Sequence, residues 1–383
     1  MAADQAVSPF HLHVDEQALD DLRRRVRGTR WPERETVDDW SQGVPLDCAR
    51  ALCEYWEQSY DWRRCEAMLN AFGQFQTEID GLGIHFLHIR SPEPNAFPLV
   101  MTHGWPGSVM EFQKVIGPLT DPVAYGGDAA DAFHLVIPSL PGYGFSARPA
   151  TTGWDVERIA KAWTELMRRL GYQAFGAQGG DWGSAVTTKL GQLAPAGLKA
   201  IHLNMPLAFP SPEDAESLSP GEREAAARLE AYNRDGAGYA NLQATRPQTL
   251  GYSLADSPVG QAMWIYEKLQ AWTDCGGDPE TVLTKDEMLD NITLYWLTGT
   301  GASSARLYWE SMDNSFFDTA PIDVPTGCSM FPAEIFQPSR RIVERRYRNI
   351  IHWNELDRGG HFAAWEQPEL FVTELRDCFC LIR

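Results

Sequence analysis

Gln178-Gly179-Gly180-Asp181-Trp182-Gly183-Ser184 is the stretch on which the reading of this chain turns. It has the small-x-nucleophile-x-small spacing of a nucleophile elbow, the sharp strand-to-helix turn that lifts one side chain to the top of a sheet. Gly179 and Gly183 stand where Cβ atoms would crowd such a turn. Upstream, Tyr172-Gln173-Ala174-Phe175-Gly176-Ala177 reads as a short strand. Downstream, Ser184 to Ala194 carries a helical apolar pattern that stops before Pro195. Strand, turn and helix thus follow in the required order, which separates an elbow from a plain glycine-rich turn. The residue at the apex is Asp181, where a serine is the usual nucleophile. Serine attacks acyl carbon; a carboxylate attacks alkyl carbon and leaves an alkyl ester that water must then cleave. The substitution points away from esterases and toward enzymes that open epoxides or displace halide.

Working outward, apolar strands alternate with helices. Thr77-Glu78-Ile79 and Ile84 to Ile89 flank Asp80-Gly81, a hairpin signal. Phe97 to Thr102 and Phe133 to Pro138 read as strands, with a helix-like stretch from Glu111 to Ile116 between them. A helix from Val156 to Leu170 precedes the elbow strand, and Ala200 to Asn204 reads as the next strand. This alternation predicts an α/β fold with a mostly parallel central sheet. From about residue 206 to 320, proline-rich turns and amphipathic helices replace the strands, which reads as a helical cap. Strand patterns resume at Pro325 to Phe331 and Asn349 to Trp353, and a last helix starts at Pro368. Residues 1 to 77 read as helical, with Leu19, Leu22 and Val26 on one face and a second amphipathic stretch from Cys48 to Tyr60. The expected division is an N-terminal extension (1–77) packed on the core, a first core part (78–205), the cap (206–320) and a second core part (321–383).

With 383 residues, 44% apolar and 22% charged, the chain can bury a large core. Its net charge of −19 argues against nucleic acid and anionic membrane as partners, since both call for a basic face. The acidic excess, partly in Ser211 to Glu230, reads as solvated surface. Met1 to Phe10 has neither a basic start nor an apolar run, and no stretch approaches the roughly 18 apolar residues of a membrane helix. Seven cysteines at irregular spacings match no zinc pattern, so reduced thiols in a cytoplasmic protein are expected. The 14 tryptophans are read mainly as packing residues, some lining an apolar pocket.

The elbow needs partners. His361 lies in Arg358-Gly359-Gly360-His361-Phe362-Ala363-Ala364-Trp365-Glu366, between the last strand and the last helix. The chain order nucleophile, acid, histidine fits a hydrolase triad, with His361 as general base on water. For the acid, Glu334 stands just past a strand end, after Phe331-Pro332-Ala333. Asp323 precedes its strand, on the wrong side, and Asp357 is too close to His361 to hold it from a separate loop. Glu334 is therefore favoured, to orient His361 and stabilise the imidazolium. His103-Gly104-Trp105-Pro106-Gly107-Ser108 follows an apolar strand and could supply an oxyanion-hole N–H from Trp105, with the second from Trp182. Pro106 is a candidate for a cis bond. Opening an epoxide also calls for an acid, which tyrosine can supply. The cap offers Tyr232, Tyr239, Tyr252, Tyr266, Tyr295 and Tyr308, and the residues alone do not select among them.

Taken together, His103 to Ser108, Gly179 to Ser184, Phe331 to Ile335 and Arg358 to Glu366 strongly resemble epoxide hydrolases of the microsomal and juvenile-hormone branch of the α/β-hydrolase fold. The resemblance spans nearly the whole chain, including Thr29-Arg30-Trp31-Pro32 and Tyr60-Asp61-Trp62-Arg63 in the N-terminal extension. It implies Asp181 as nucleophile, Glu334 as acid, His361 as base, and Trp105 and Trp182 at the oxyanion hole. The two cap tyrosines of the family fall at Tyr239, in Gly238-Tyr239-Ala240, and Tyr308, in Arg306-Leu307-Tyr308-Trp309-Glu310, with Tyr295 the alternate for Tyr308. Membrane-bound relatives carry an N-terminal anchor; this chain starts with the extension, as the bacterial and fungal members do. The implied reaction converts an epoxide to a vicinal diol without cofactor or metal, and the aromatic content points to a bulky, apolar or aryl substrate. A homodimer is left open. The rival readings are a haloalkane dehalogenase, with Trp182 as halide donor, and a non-catalytic binding protein on this fold; the intact triad argues against the latter.

Overall fold

The computed structural model describes residues 6–211, 214, 217–312 and 318–383. Of the acidic stretch read as surface, residues 212–213 and 215–216 lie outside the described residues, as do residues 1–5 of the N-terminus and 313–317 at the end of the expected cap.

The strands of one mixed sheet are β1 (Ser8–Pro9), β2 (Gln74–Ile79), β3 (Leu82–Ile89), β4 (Phe97–Thr102), β5 (Phe133–Pro138), β6 (Phe175–Gly179), β7 (Leu198–Leu203), β8 (Thr326–Met330) and β9 (Ile350–Glu355). Their order across the sheet is β1-β2-β3-β5-β4-β6-β7-β8-β9. β1, β2, β3 and β5 pair antiparallel, and every pairing from β5 through β4 to β9 is parallel. β5 and β6 are buried at every position, as parallel strands covered on both faces must be. The hairpin turn falls at Asp80-Gly81, where both residues have positive φ.

Two sequence expectations shift. The elbow strand begins at Phe175 rather than Tyr172. Tyr172 instead leaves the preceding helix and turns its hydroxyl to His88 Nε2 at 2.8 Å, so an aromatic with strand preference serves as an edge contact. Ser8–Pro9 was expected in a helical segment but pairs antiparallel with Gln76 and Phe75 at the sheet edge. A two-residue strand leaves no periodicity to detect.

Between Pro220 and Ser311 the described elements are helical. Capping boxes start two of the helices, Ser219 with Glu222 and Thr284 with Glu287, each satisfying two otherwise open backbone N–H groups. A π-helical turn at Tyr232–Gly236 precedes the short helix Gly238–Thr245. The helix Lys285–Thr298 is joined to the N-terminal helices through polar contacts. Tyr60 OH and the Arg64 guanidinium reach Asp290 at 2.8 and 2.7 Å, and Trp56 Nε1 donates to Thr293 Oγ1 at 2.9 Å. Burial pushes the Asp290 carboxyl up to about 6, against the pull of Arg64 and Tyr60. Among the described residues no helix is long and apolar enough to cross a membrane. The seven cysteines are all free thiols.

Candidate active site

β6 feeds directly into the helix Asp181–Leu193, and the turn between them is tight enough to hold Asp181 at φ 51°. A non-glycine residue in the left-handed region is strained by about 1–3 kcal/mol, and such strain persists only where packing enforces it. Here the enforcement is close backbone approach. A Cβ on Gly183 would lie 1.8 Å from Thr102 O, and one on Gly179 would lie 2.0 Å from Gly183 O. The strain sets the Asp181 carboxylate above the parallel strands, at the positive end of a helix buried along nearly its full length.

The carboxylate oxygens have different surroundings. Oδ1 accepts the Trp105 N–H at 2.8 Å. This contact requires glycine at 104, since a Cβ there would fall 2.1 Å from Oδ1. Oδ2 faces His361 Nε2 at 3.3 Å. His361 Nδ1 in turn meets Glu334 Oε1 at 2.6 Å. The His361 and Glu334 side chains are 2% and 0% exposed, so the line is sealed from solvent. The loops carrying the two residues are tied together by a bridge between Ala333 and Gly360, with Ala333 N donating to Gly359 O at 3.0 Å. His361 N donates to Trp272 O at 2.8 Å, tying the histidine main chain to the end of the helix Pro258–Trp272. Burial alone would strip the His361 proton. Glu334 and Asp181, by charge and hydrogen bond, outweigh it and raise the pKa well above the ordinary imidazole value.

Asp181, Glu334, His361 and Trp105, picked out separately along the sequence, thus converge on one point. Trp182 follows the apex, its ring edge-on to Tyr308 with centroids 4.7 Å apart. The Trp105–Pro106 peptide is cis. Asp323 and Asp357 do not join the cluster; Asp323 lies beside Arg348 and Asp357 beside Arg358.

Of the six candidate tyrosines, Tyr239 and Tyr308 come together over this point. Tyr239 stacks on Trp105 at 4.9 Å, and its ring is 5.9 Å from that of Tyr308. Both are buried, which pushes both phenols well above their usual pKa; Tyr232 and Asp181 push Tyr239 further up while its hydrogen bond with Tyr308 pulls down, and Tyr239 and Asp181 push Tyr308 further up. They remain proton donors. Tyr232 OH lies 2.9 Å from Tyr239 OH. Tyr295, the alternate, directs its hydroxyl to Gly107 O at 2.8 Å, and Tyr252 is exposed. Trp272 packs edge-on against His361 at 5.0 Å. Trp105, Trp182, Tyr239, Trp272 and Tyr308 pack ring against ring as one aromatic cluster beside Asp181. A groove of about 400 Å³, lined by Trp154, Arg246, Leu307 and Trp309 among others, does not include these residues.

Sequence reasoning passed over two members of the neighbourhood. Trp272 sits in an amphipathic helix with nothing to distinguish it from a packing residue. Glu111 was read only as the start of a helix. Its carboxyl fills the space a side chain on Gly107 would need, and burial pushes it up to about 8, His361 pulling down and Asp181 pushing further up. The signal was present: a carboxylate four residues after Gly107 in an otherwise apolar turn, Val109-Met110-Glu111-Phe112.

A strained carboxylate on an elbow, served by a histidine–glutamate pair at the ends of parallel strands, belongs to the α/β hydrolases. Residues 98–252 match the model of that fold, and residues 7–112 match the model described as the epoxide hydrolase N terminus. A relative in Stigmatella aurantiaca is 60% identical over 98% of this chain and 86% of its own length. Epoxide hydrolase 1 of Sus scrofa is 34% identical over 98% of this chain and 89% of its own. The crystal structure of juvenile hormone epoxide hydrolase from the silkworm Bombyx mori superposes with a TM-score of 0.91 at 29% identity, covering 100% of this chain and 96% of that one. The chain belongs to the epoxide hydrolases of the microsomal and juvenile-hormone type. Its activity is that of an epoxide hydrolase, EC 3.3.2.

Proposed function

We propose that the enzyme opens its epoxide in two covalent steps. Asp181 Oδ2 attacks an epoxide carbon; the C–O bond breaks as the ester bond forms, and Tyr239 and Tyr308 hydrogen-bond the leaving oxygen and protonate it. Water then attacks the ester carbon. His361 Nε2 takes its proton, and Glu334 stabilises the imidazolium. The charge that develops on Oδ1 is met by the N–H groups of Trp105 and Trp182. Collapse of the tetrahedral intermediate breaks the bond from Cγ to the substrate-bound Oδ2, and the departing alkoxide takes the proton back as a vicinal diol.

The observation that carries this reading is the division of labour on one carboxylate: Oδ1 in the Trp105 N–H at 2.8 Å, Oδ2 toward His361 at 3.3 Å. It also supports an ordered switch. While Asp181 is charged it helps hold the proton on His361; once esterified it no longer does, and His361 becomes a base when water must be activated.

The cluster of five aromatic side chains favours an apolar epoxide with a bulky or aryl substituent. We further propose the division into extension (1–77), core (78–205 and 321–383) and cap (206–320), the last carrying both tyrosines. A cytoplasmic location is consistent with the free thiols.

Product analysis with racemic styrene oxide tests the reading. Diol from the wild type and none from Asp181→Ala is the expected result. Diol from both would remove Asp181 from its role, and halide release from haloalkanes without diol would favour dehalogenation.

A further inference from the structure

A backbone N–H stabilises an oxyanion only if its peptide is held in place before charge develops. The Trp105 N–H lies in an irregular loop between β4 and the turn at Val109–Phe112, and residues 103–108 are buried throughout. Buried carbonyls in such a loop need partners that regular structure does not provide. Two of them find partners on a single lid helix. Asn291 Nδ2 donates to Pro106 O at 2.8 Å, and Tyr295 OH donates to Gly107 O at 2.8 Å. The Asn291 amide is oriented in turn, because Ser108 Oγ donates to its Oδ1 at 2.7 Å while accepting from Met110 N. A flipped amide would set Oδ1 against the Pro106 carbonyl oxygen, so the network admits one orientation. Asn291, Tyr295 and Ser108 are each at most 1% exposed. Asn291 and Tyr295 stand four residues apart, on one face of the helix Lys285–Thr298. Asp290 and Thr293 of the same helix bind Tyr60, Arg64 and Trp56. The helix is a strut between the N-terminal helices and the loop that carries the oxyanion donor.

We propose that Asn291 and Tyr295 are positioning residues for the oxyanion hole, acting on consumption of the covalent ester and not on its formation. The proposal rests on the two-step reading above. Its asymmetry follows from where charge moves. In the first step negative charge leaves the Asp181 carboxylate, so a donor on Oδ1 favours the ground state and losing its aim does not slow attack. In the second step charge returns to Oδ1 as water adds, and the same donor favours the transition state. A loop with loosened carbonyls therefore slows ester hydrolysis alone.

The test is rapid-quench single-turnover kinetics with styrene oxide, following the mass of the alkyl-enzyme. Tyr295→Phe removes one hydroxyl and keeps the ring. Asn291→Leu removes both bonds to the loop; Ser108→Ala, which frees the amide to turn, stands in for it if the leucine variant does not fold. Tyr60→Phe is the control, since it loosens the same helix from its opposite face. The expected result is ester hydrolysis slowed about tenfold or more in the loop-facing variants, set against about 10²–10³ for outright loss of one donor. Alkylation should be unchanged, ester should accumulate, and kcat and KM should fall together. Tyr60→Phe should leave the ratio of the two rates at its wild-type value. Equal slowing of both steps, an unchanged ratio in the loop-facing variants, or the same shift from Tyr60→Phe would each overturn the proposal. The absence of any ester even in His361→Gln would count against the two-step reading itself and take this inference with it.

Discussion

Replacing Glu334 with glutamine keeps the shape of the side chain and deletes its charge. The carboxylate touches His361 Nδ1 at 2.6 Å, both side chains are shielded from solvent, and the same Oε1 accepts the Ile335 N–H at 2.8 Å. Opposite unit charges at roughly 4 Å in a medium of effective dielectric about 20 attract by about 4 kcal/mol. Losing that attraction destabilises the imidazolium and lowers the His361 midpoint, since the Glu334 charge is among the causes that raise it. A glutamine amide that turns its NH₂ toward Nδ1 would also favour the tautomer with hydrogen on Nε2, which cannot accept a proton from water. The two effects act on the same step, so ester hydrolysis should slow by about 10²–10⁴, the usual range for loss of a general base. Attack by Asp181 needs no base and should change by less than about threefold, a shift under 1 kcal/mol. Rapid quench with intact-mass detection would then show the alkyl-enzyme forming at close to the wild-type rate and persisting. Hydrolysis within a factor of two of wild type would refute the role given to Glu334, and equal loss of both steps would refute the separation of roles.

Three further outcomes follow from the geometry. Tyr308→Phe and Tyr239→Phe should slow alkylation, each by about 10–10³, without slowing hydrolysis of ester already formed; the reverse pattern in a quench experiment would move the tyrosines out of the first step. The His361 midpoint, followed by NMR of its imidazole, should lie above the ordinary value in the wild type and fall in Asp181→Asn, which removes one of the charges that raise it. Because the folded-state pKa is raised, this proton contributes stability that is full below about pH 6.5 and is lost as pH climbs through the folded-state midpoint; an unchanged midpoint in Asp181→Asn would contradict the coupling. Gly183→Ala places a Cβ 1.8 Å from Thr102 O, a backbone atom that cannot move aside, so it should cost about 1–3 kcal/mol or more and lower the melting temperature, where a melt matching wild type would show that the elbow is looser than described.

Much of this was legible in the sequence because it depends on local rules. Strands β4 and β5 coincide with their apolar runs, and the elbow announces itself through Gly179 and Gly183, whose Cβ atoms the turn cannot hold. What local pattern could not supply was register across the fold. Nothing near Glu334 or His361 in sequence shows that their loops are bridged at Ala333 and Gly360. Tyr239 and Tyr308 are ordinary helix tyrosines until the fold stacks them around Trp105, and only the resemblance to a family singled them out. β1 is too short for a period, and Tyr172 was misread because aromatic residues favour strands and edge contacts alike. Asn291 is illegible for another reason: its meaning lies in the partners that the carbonyls of the loop His103–Ser108 lack, and unmet hydrogen bonds cannot be read from a motif.

The most direct test of the central claim is to follow the oxygen. A single turnover with enzyme in excess, run in ¹⁸O-labelled water, should give unlabelled diol and place the label in the Asp181 carboxylate, read by mass spectrometry of the peptide that contains it. Label in the diol after that first turnover, with Asp181 unlabelled, would mean that water attacks the epoxide directly and that the covalent account is wrong.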